Sequence, residues 1–254
     1  MRLWALRCGD LRTDVGVLVG GTPGVVGDVP VMCFAVDTGD GVAVFDTGIH
    51  EACCGADPAA HFGAMLSMFE IRCPRHALVD ERLRQAGFAA DEVRWVINSH
   101  LHFDHAGRND AFPAAVQVVR ARELAHARRL SAKPSGFLPG DLAGITCDET
   151  WDYDGSHPLT DALTLLDTPG HTPGHQALQV DFADGRRFVC VGDAAYTLPA
   201  VLAATPTGRP TDHAQAVESL ERLGALAQSG AELLTAHDLD QWRDVPDVAL
   251  LHAA

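Results

Sequence analysis

Three imidazoles and one carboxylate fall within six residues of this chain: His100, His102, Asp104 and His105, in the run Ser99-His-Leu-His-Phe-Asp-His-Ala-Gly107. Imidazole nitrogen and carboxylate oxygen are the usual donors to zinc and similar divalent ions. His100 and His102, two apart, can bind one ion. Asp104 and His105, immediately after, can reach a second ion beside it. A histidine on its own is more often a packed or surface residue than a ligand, but four donors at these offsets after an apolar run read as a metal site.

Three more donors stand after apolar runs: His171 in Asp167-Thr-Pro-Gly-His-Thr-Pro-Gly-His175, Asp193 in Gly192-Asp-Ala-Ala-Tyr196, and His237 before Asp238. Together they fit a dinuclear site. His100, His102 and His171 hold one ion, Asp104, His105 and His237 hold the other, and Asp193 bridges them. Two ions about 3.5–4 Å apart can share a hydroxide, lower its pKa toward about 7 and polarise a carbonyl. That chemistry is hydrolysis without a serine or cysteine nucleophile.

The elements that must present these donors are legible in outline. Val93–Asn98 is a β-branched, apolar run that reads as a buried strand feeding the first loop. Ala162–Leu166 feeds the second loop, which two prolines stiffen and two glycines allow to turn. Strands at 176–182 and 186–191 flank the turn Ala183-Asp-Gly185, and Ala231–Thr235 leads to His237. In a layered α/β protein, strand ends on one edge of the sheets converge. Upstream, residues 2–8 read as a strand and 9–30 as loop. Val31–Val36 and Val42–Phe45 form a hairpin about Asp40-Gly41 that ends at Asp46-Thr-Gly48. Helices are expected at 61–69, 77–86, Ala121–Leu130 and 212–228, the last capped by Asp212 with Gln215 and apolar along Ala216, Leu220, Leu223 and Ala227. Residues 131–158 read as an irregular excursion at a substrate entrance. Without a linker or low-complexity segment, residues 1–254 are expected to form one domain.

Composition narrows the partners. The 254 residues carry 19 Lys and Arg against 34 Asp and Glu, a net charge of −15. Such an acidic surface argues against nucleic acid or anionic membranes and fits a small, neutral substrate. No apolar run approaches the ~20 residues of a membrane span, and the N-terminal run is too short for a signal peptide, so a cytoplasmic protein is expected. Seven cysteines show no disulfide or zinc-ribbon spacing and read as reduced thiols. The adjacent Cys53 and Cys54 leave a redox role as the alternative.

His100-Leu-His-Phe-Asp-His105 resembles the HxHxDH signature of the metallo-β-lactamase superfamily, and Asp46-Thr-Gly, Thr168-Pro-Gly-His171, Gly192-Asp193 and His237 follow its other motifs in order. The resemblance implies an α/β fold, an αββα sandwich with the dinuclear site at the sheet edge. Within the superfamily the chain resembles the N-acyl-homoserine lactonases, through Pro30-Val-Met-Cys-Phe34, Val44-Phe-Asp-Thr-Gly48, the two histidine loops and Asp193-Ala-Ala-Tyr196. Arg108 departs from it, standing where a second glycine is common.

This resemblance implies a small-molecule lactone substrate and two divalent ions, zinc by default. A metal-bridging hydroxide would attack the lactone carbonyl. Tyr196 would donate to the developing oxyanion, and Asp104 would take the proton and return it to the leaving alkoxide. Asp46 is expected to orient a ligand histidine, His175 and Asp238 are candidates for the same role, and Phe103 is expected beside the site. The alternatives are another lactone or ester, such as a pyridoxolactone-like ring or a specialised-metabolite intermediate, and a glyoxalase II-like thioester, against which Tyr196 argues. A monomer and a homodimer are both compatible.

Overall fold

The structure is a computed structural model that describes residues 1–18, 23–133, 135–145, 152–206 and 208–254. Two sheets are formed. The first contains β1 (Arg2–Asp14), β2 (Val26–Asp37), β3 (Val42–Phe45), β4 (Glu70–Arg72), β5 (Val93–Ile97), β6 (Val116–Val118) and β12 (Val248–Ala253). Its order is β12-β1-β2-β3-β5-β6, with β4 pairing β1. The second contains β7 (Ser156–Pro158), β8 (Leu163–Asp167), β9 (Gln176–Asp181), β10 (Arg187–Gly192) and β11 (Glu232–Thr235), in the order β11-β10-β9-β8-β7.

Period-two alternation explains the layering. In β2, Met32, Phe34 and Val36 face the second sheet, where they meet Leu163, Leu165, Leu178, Val180 and Cys190. Val31, Cys33 and Ala35 face the opposite way, toward Phe62, Leu78, Val79 and Leu83. In β10, Phe188 and Cys190 point between the sheets, while Val189 and Val191 meet Val201, Leu220 and Leu223 of the outer helices. Strands buried on both faces sandwich one core and are themselves covered by helices, which is the αββα arrangement expected. The β3–β5, β5–β6 and β10–β11 pairs are parallel. The ends of β3, β5, β8, β10 and β11 are where the residue motifs sit.

Several elements differ from the sequence expectation. Residues 9–30 are not simply loop: β1 continues past a bulge between Arg7 and Asp10 and pairs with β2 from Asp10–Pro30 to Asp14–Val26. The Gly and Asp content disguises a strand whose exposed faces are tied by Arg12 to Asp28 at 3.1 Å. The expected helix at 61–69 is split into Ala59–Phe62 and a tighter turn at Gly63–Ser67. The 131–158 excursion holds a helix at Pro139–Ala143 and the short β7, and its residues 134 and 146–151 lie outside the described residues. β12 has no counterpart in the sequence reading. It is half-buried and pairs β1. Among the described residues no helix is long and apolar enough to cross a membrane.

Candidate metal centre

The chain leaves β5 at Ile97 and turns at once. Asn98 holds the turn closed, its Nδ2 donating to the His105 carbonyl at 3.1 Å, and the Thr47 amide donates to the same carbonyl at 2.7 Å. A Cβ at Gly107 would overlap the backbone of Ile49 and His50, so only glycine lets the loop press against the segment after β3. From the end of β3, the Asp46 carboxylate accepts from the Ser99 amide (2.7 Å), the Ser99 hydroxyl (2.8 Å) and His105 Nδ1 (2.8 Å). That last bond turns His105 Nε2 toward the centre, the orienting role expected of Asp46. His237 is fixed likewise, its Nδ1 donating to the Pro30 carbonyl at 2.7 Å.

All seven expected donors meet. His102 Nδ1 lies 2.8 Å from His100 Nε2 and 3.1 Å from His171 Nε2. The three rings stand nearly perpendicular to one another, at 82°, 89° and 87°, so their ring nitrogens converge. His105 Nε2 and His237 Nε2 are 3.3 Å apart, with rings at 89°. Asp193 lies between the groups: Oδ2 is 3.3 Å from His171 Nε2, and Oδ1 is 3.2 Å and 3.1 Å from His105 and His237 Nε2. Asp104 Oδ2 is 3.6 Å from His237 Nε2.

These residues fit divalent ions. Donors around a tetrahedral zinc at about 2.0–2.1 Å stand roughly 3.3 Å from one another, close to the spacings seen. Burial pushes His102 and His171 down to about 3 and His100 well below its usual range, so these rings are neutral and present lone pairs. Each neutral ring carries one N–H and one lone pair, and a cation placed where the three nitrogens meet would take all three lone pairs. Asp193 Oδ1 is buried and faces two ring nitrogens at 3.1–3.2 Å without a well-directed hydrogen bond, a position a cation between them would satisfy. Burial opposes charge on His105 and His237, but the adjoining carboxylates, Asp193 foremost, outweigh it and raise both.

His175 and Asp238 act differently from Asp46. Neutral His175, with burial pushing it down to about 3, accepts the Asp193 amide on Nε2 at 3.0 Å, so it fixes the backbone of Asp193 rather than another histidine ring. Asp238 caps the helix Leu239–Trp242 and accepts from the Leu198 amide at 2.9 Å, tying the His237 loop to the segment after Tyr196. The Tyr196 ring packs against His171 (6.0 Å between centroids) and His237 (5.4 Å), one from each donor group. It lies on the floor of a cavity of about 520 Å³ whose walls include Leu11, Val29, Met65, Phe69 and Phe103. Phe103 is buried there against Phe69, as expected.

A second histidine cluster was not legible from the sequence. His50 and His61 stack at 3.9 Å with 16° between planes, and His61 Nε2 lies 2.7 Å from Asp141 Oδ1. Lone pairs lie in the ring plane, so parallel rings cannot both aim at one ion, and His50 Nδ1 already accepts the Ala52 amide at 3.0 Å. Its members are 11 and 80 residues apart, and only folding joins them. Cys53 and Cys54 both donate to the Cys73 carbonyl, with sulfurs 3.6 Å apart. The six cysteines among the described residues are free thiols.

The description Metallo-beta-lactamase superfamily matches residues 26–229. The chain is 28% identical over 258 aligned positions to the N-acyl homoserine lactonase AttM of Rhizobium radiobacter, covering 95% of each chain. An N-acyl homoserine lactone hydrolase with the product N-hexanoyl-L-homoserine bound at its catalytic metal center superposes with a TM-score of 0.83 at 24% identity, covering 98% of both chains. AidC, a dizinc quorum-quenching lactonase, superposes at 0.70 with 19% identity, covering 99% of this chain and 90% of its own.

Proposed function

The chain belongs to the metallo-beta-lactamase superfamily, and on that premise we propose that it hydrolyses lactone rings, N-acyl homoserine lactones foremost, with two divalent ions, zinc by default. His100, His102 and His171 would hold one ion and Asp104, His105 and His237 the other, with Asp193 facing both groups. Bound there, the ions supply a Lewis acid for the carbonyl oxygen and a water whose pKa is lowered toward about 7.

The chain's own residues do the rest. Burial, with Asp193 and Asp104 adding to it, pushes the Tyr196 phenol well above its usual range, so its hydroxyl stays protonated and donates to the developing oxyanion. Asp104 faces the same cavity and takes the proton of the attacking water on a carboxylate oxygen. It gives that proton to the ring oxygen as the alkoxide leaves. The apolar walls exclude water and accept an acyl chain. The observation that carries this reading is Tyr196, wedged against one histidine of each donor group at the floor of an apolar cavity. The relatives named as lactonases support it.

The test is proton release on ring opening, with protein of measured metal content. The panel comprises short- and long-chain N-acyl homoserine lactones, a simple γ-lactone, an aromatic lactone and a thioester. Rapid opening of the acyl homoserine lactones, abolished by chelation and restored by zinc, is expected. Faster turnover of the aromatic lactone or the thioester by the same metal-loaded protein would reassign the substrate.

A further inference from the structure

The helix Ala121–Leu130 carries one acidic side chain, and it is buried. Glu123 Oε1 accepts the Leu101 amide at 3.1 Å, and Oε2 accepts the Gly174 amide at 3.1 Å. Leu101 lies between His100 and His102, in the loop that leaves the first sheet. Gly174 lies in the loop of His171, which leaves the second. At Gly174 a Cβ would overlap both the backbone and the side chain of Glu123, so the second loop is pressed directly onto the helix. The neighbouring arginines do not take this carboxylate: Arg120 and Arg122 both bond Asp167.

We propose that Glu123 is a positioning residue, a carboxylate brace that fixes the separation of the two loops and so assembles the His100–His102–His171 donor group. The inference rests on the ligand assignment above. The other donor group has its own supports, Asp46 behind His105 and the Pro30 carbonyl behind His237. Gln176 also crosses between the loops, its backbone N–H donating to the Ser99 carbonyl at 2.9 Å, but it acts at the strand end, behind His100. Glu123 acts on the far side, beside the ligands. Buried carboxylates are rare because desolvation disfavours the charge, and burial pushes Glu123 up to about 7 against the pull of its donors. The chemistry explains why a carboxylate is nevertheless used. Two backbone N–H groups need two acceptor oxygens on one side chain. Glutamine offers one oxygen and one NH₂ group, which would face an N–H.

The test uses the full chain loaded with zinc alone. Wild type is expected to keep two ions per chain under dialysis against a chelator. Glu123→Gln is expected to hold one of them 10–100-fold more weakly and to retain one ion. After cobalt substitution its visible spectrum should match that of His171→Ala and differ from that of His237→Ala. Glu123→Asp keeps both oxygens and should recover part of the lost affinity. Glu123→Gln protein that holds two ions as tightly as wild type, or loses both equally, overturns the brace. A wild-type chain that binds no zinc overturns the ligand assignment and the brace with it, which separates that failure from the first. If Glu123→Gln does not fold, amide exchange of chelated wild type decides. Slow exchange at both Leu101 and Gly174 supports the brace, and exchange at the rate of an open loop overturns it.

Discussion

Among the described residues, the metal centre and a second cluster are both built from histidine and aspartate, and they differ in geometry. In the centre formed by His100, His102 and His171, ring planes cross at 82–89° and nitrogens approach to 2.8–3.1 Å. In the cluster of His50, His61 and Asp141, the two rings lie parallel at 3.9 Å and only one nitrogen meets the carboxylate. His50 and His61 are half-buried where His100 and His171 are buried, but Asp141 is buried like Asp193, and residue type alone does not separate a ligand set from an ion pair. Direction does, because an imidazole donates in its plane, and crossed planes share a point that stacked planes lack.

The sharpest way to break this comparison is to remove the residue that spans the donor groups. Asp193→Ala should empty both metal positions, which elemental analysis reads, and reduce lactone turnover on the order of a thousandfold or more, about 4 kcal/mol of barrier. Tyr196→Phe should leave two ions bound and lower kcat roughly tenfold to a hundredfold, since one oxyanion donor of several is lost. Turnover equal to wild type would remove the hydroxyl from the reaction. His61→Ala in the other cluster should leave metal content at two and cost about 1–3 kcal/mol of unfolding free energy, because Asp141 then stays buried without its donor. Loss of an ion in that variant would show that stacked rings do bind metal. The smallest effect concerns the thiols. Contact with Cys73 and burial push Cys53 upward, and burial pushes Cys54 up to about 11. At pH 8 the thiolate fraction of Cys54 is then on the order of 10⁻³, so alkylation should be slow and should accelerate about tenfold per pH unit. Fast alkylation at neutral pH would restore the redox alternative.

What could be read from the sequence followed the same logic of direction. The convergence of the seven His and Asp side chains was legible because each stands just after an apolar run, and strand ends in a two-sheet sandwich share an edge. The layers were legible because β2 and β10 carry apolar residues on both faces. The extension of β1 was not, since Gly9, Asp10 and Asp14 carry the composition of a loop and the pairing is made by backbone. β12 was hidden because its side chains are only half-buried and weakly patterned. His175 and Asp238 were singled out by position, but their partners, an amide of Asp193 and an amide of Leu198, are backbone groups that side-chain identity does not announce. Glu123 was lost among arginines, although it is the single acid of its helix and lies on the buried face with Leu124, His126 and Ala127.

Among the described residues, Asp46 is one of two non-glycine residues with positive φ, at 61°. Asparagine and aspartate are the side chains that tolerate this left-handed conformation, so sterically position 46 admits either. They differ in where they leave a proton. The carboxylate accepts from His105 Nδ1 and thereby makes Nε2 the bare nitrogen. An amide oriented to keep the Ser99 amide bond would offer His105 a donor instead, drawing the ring hydrogen to Nε2 and inverting the tautomer. Asp46→Asn is therefore expected to preserve the fold and shift the imidazole nitrogen resonances of His105 while weakening one ion 10–100-fold. At this position the backbone accepts either of two residues, and the charge alone decides whether the histidine is armed.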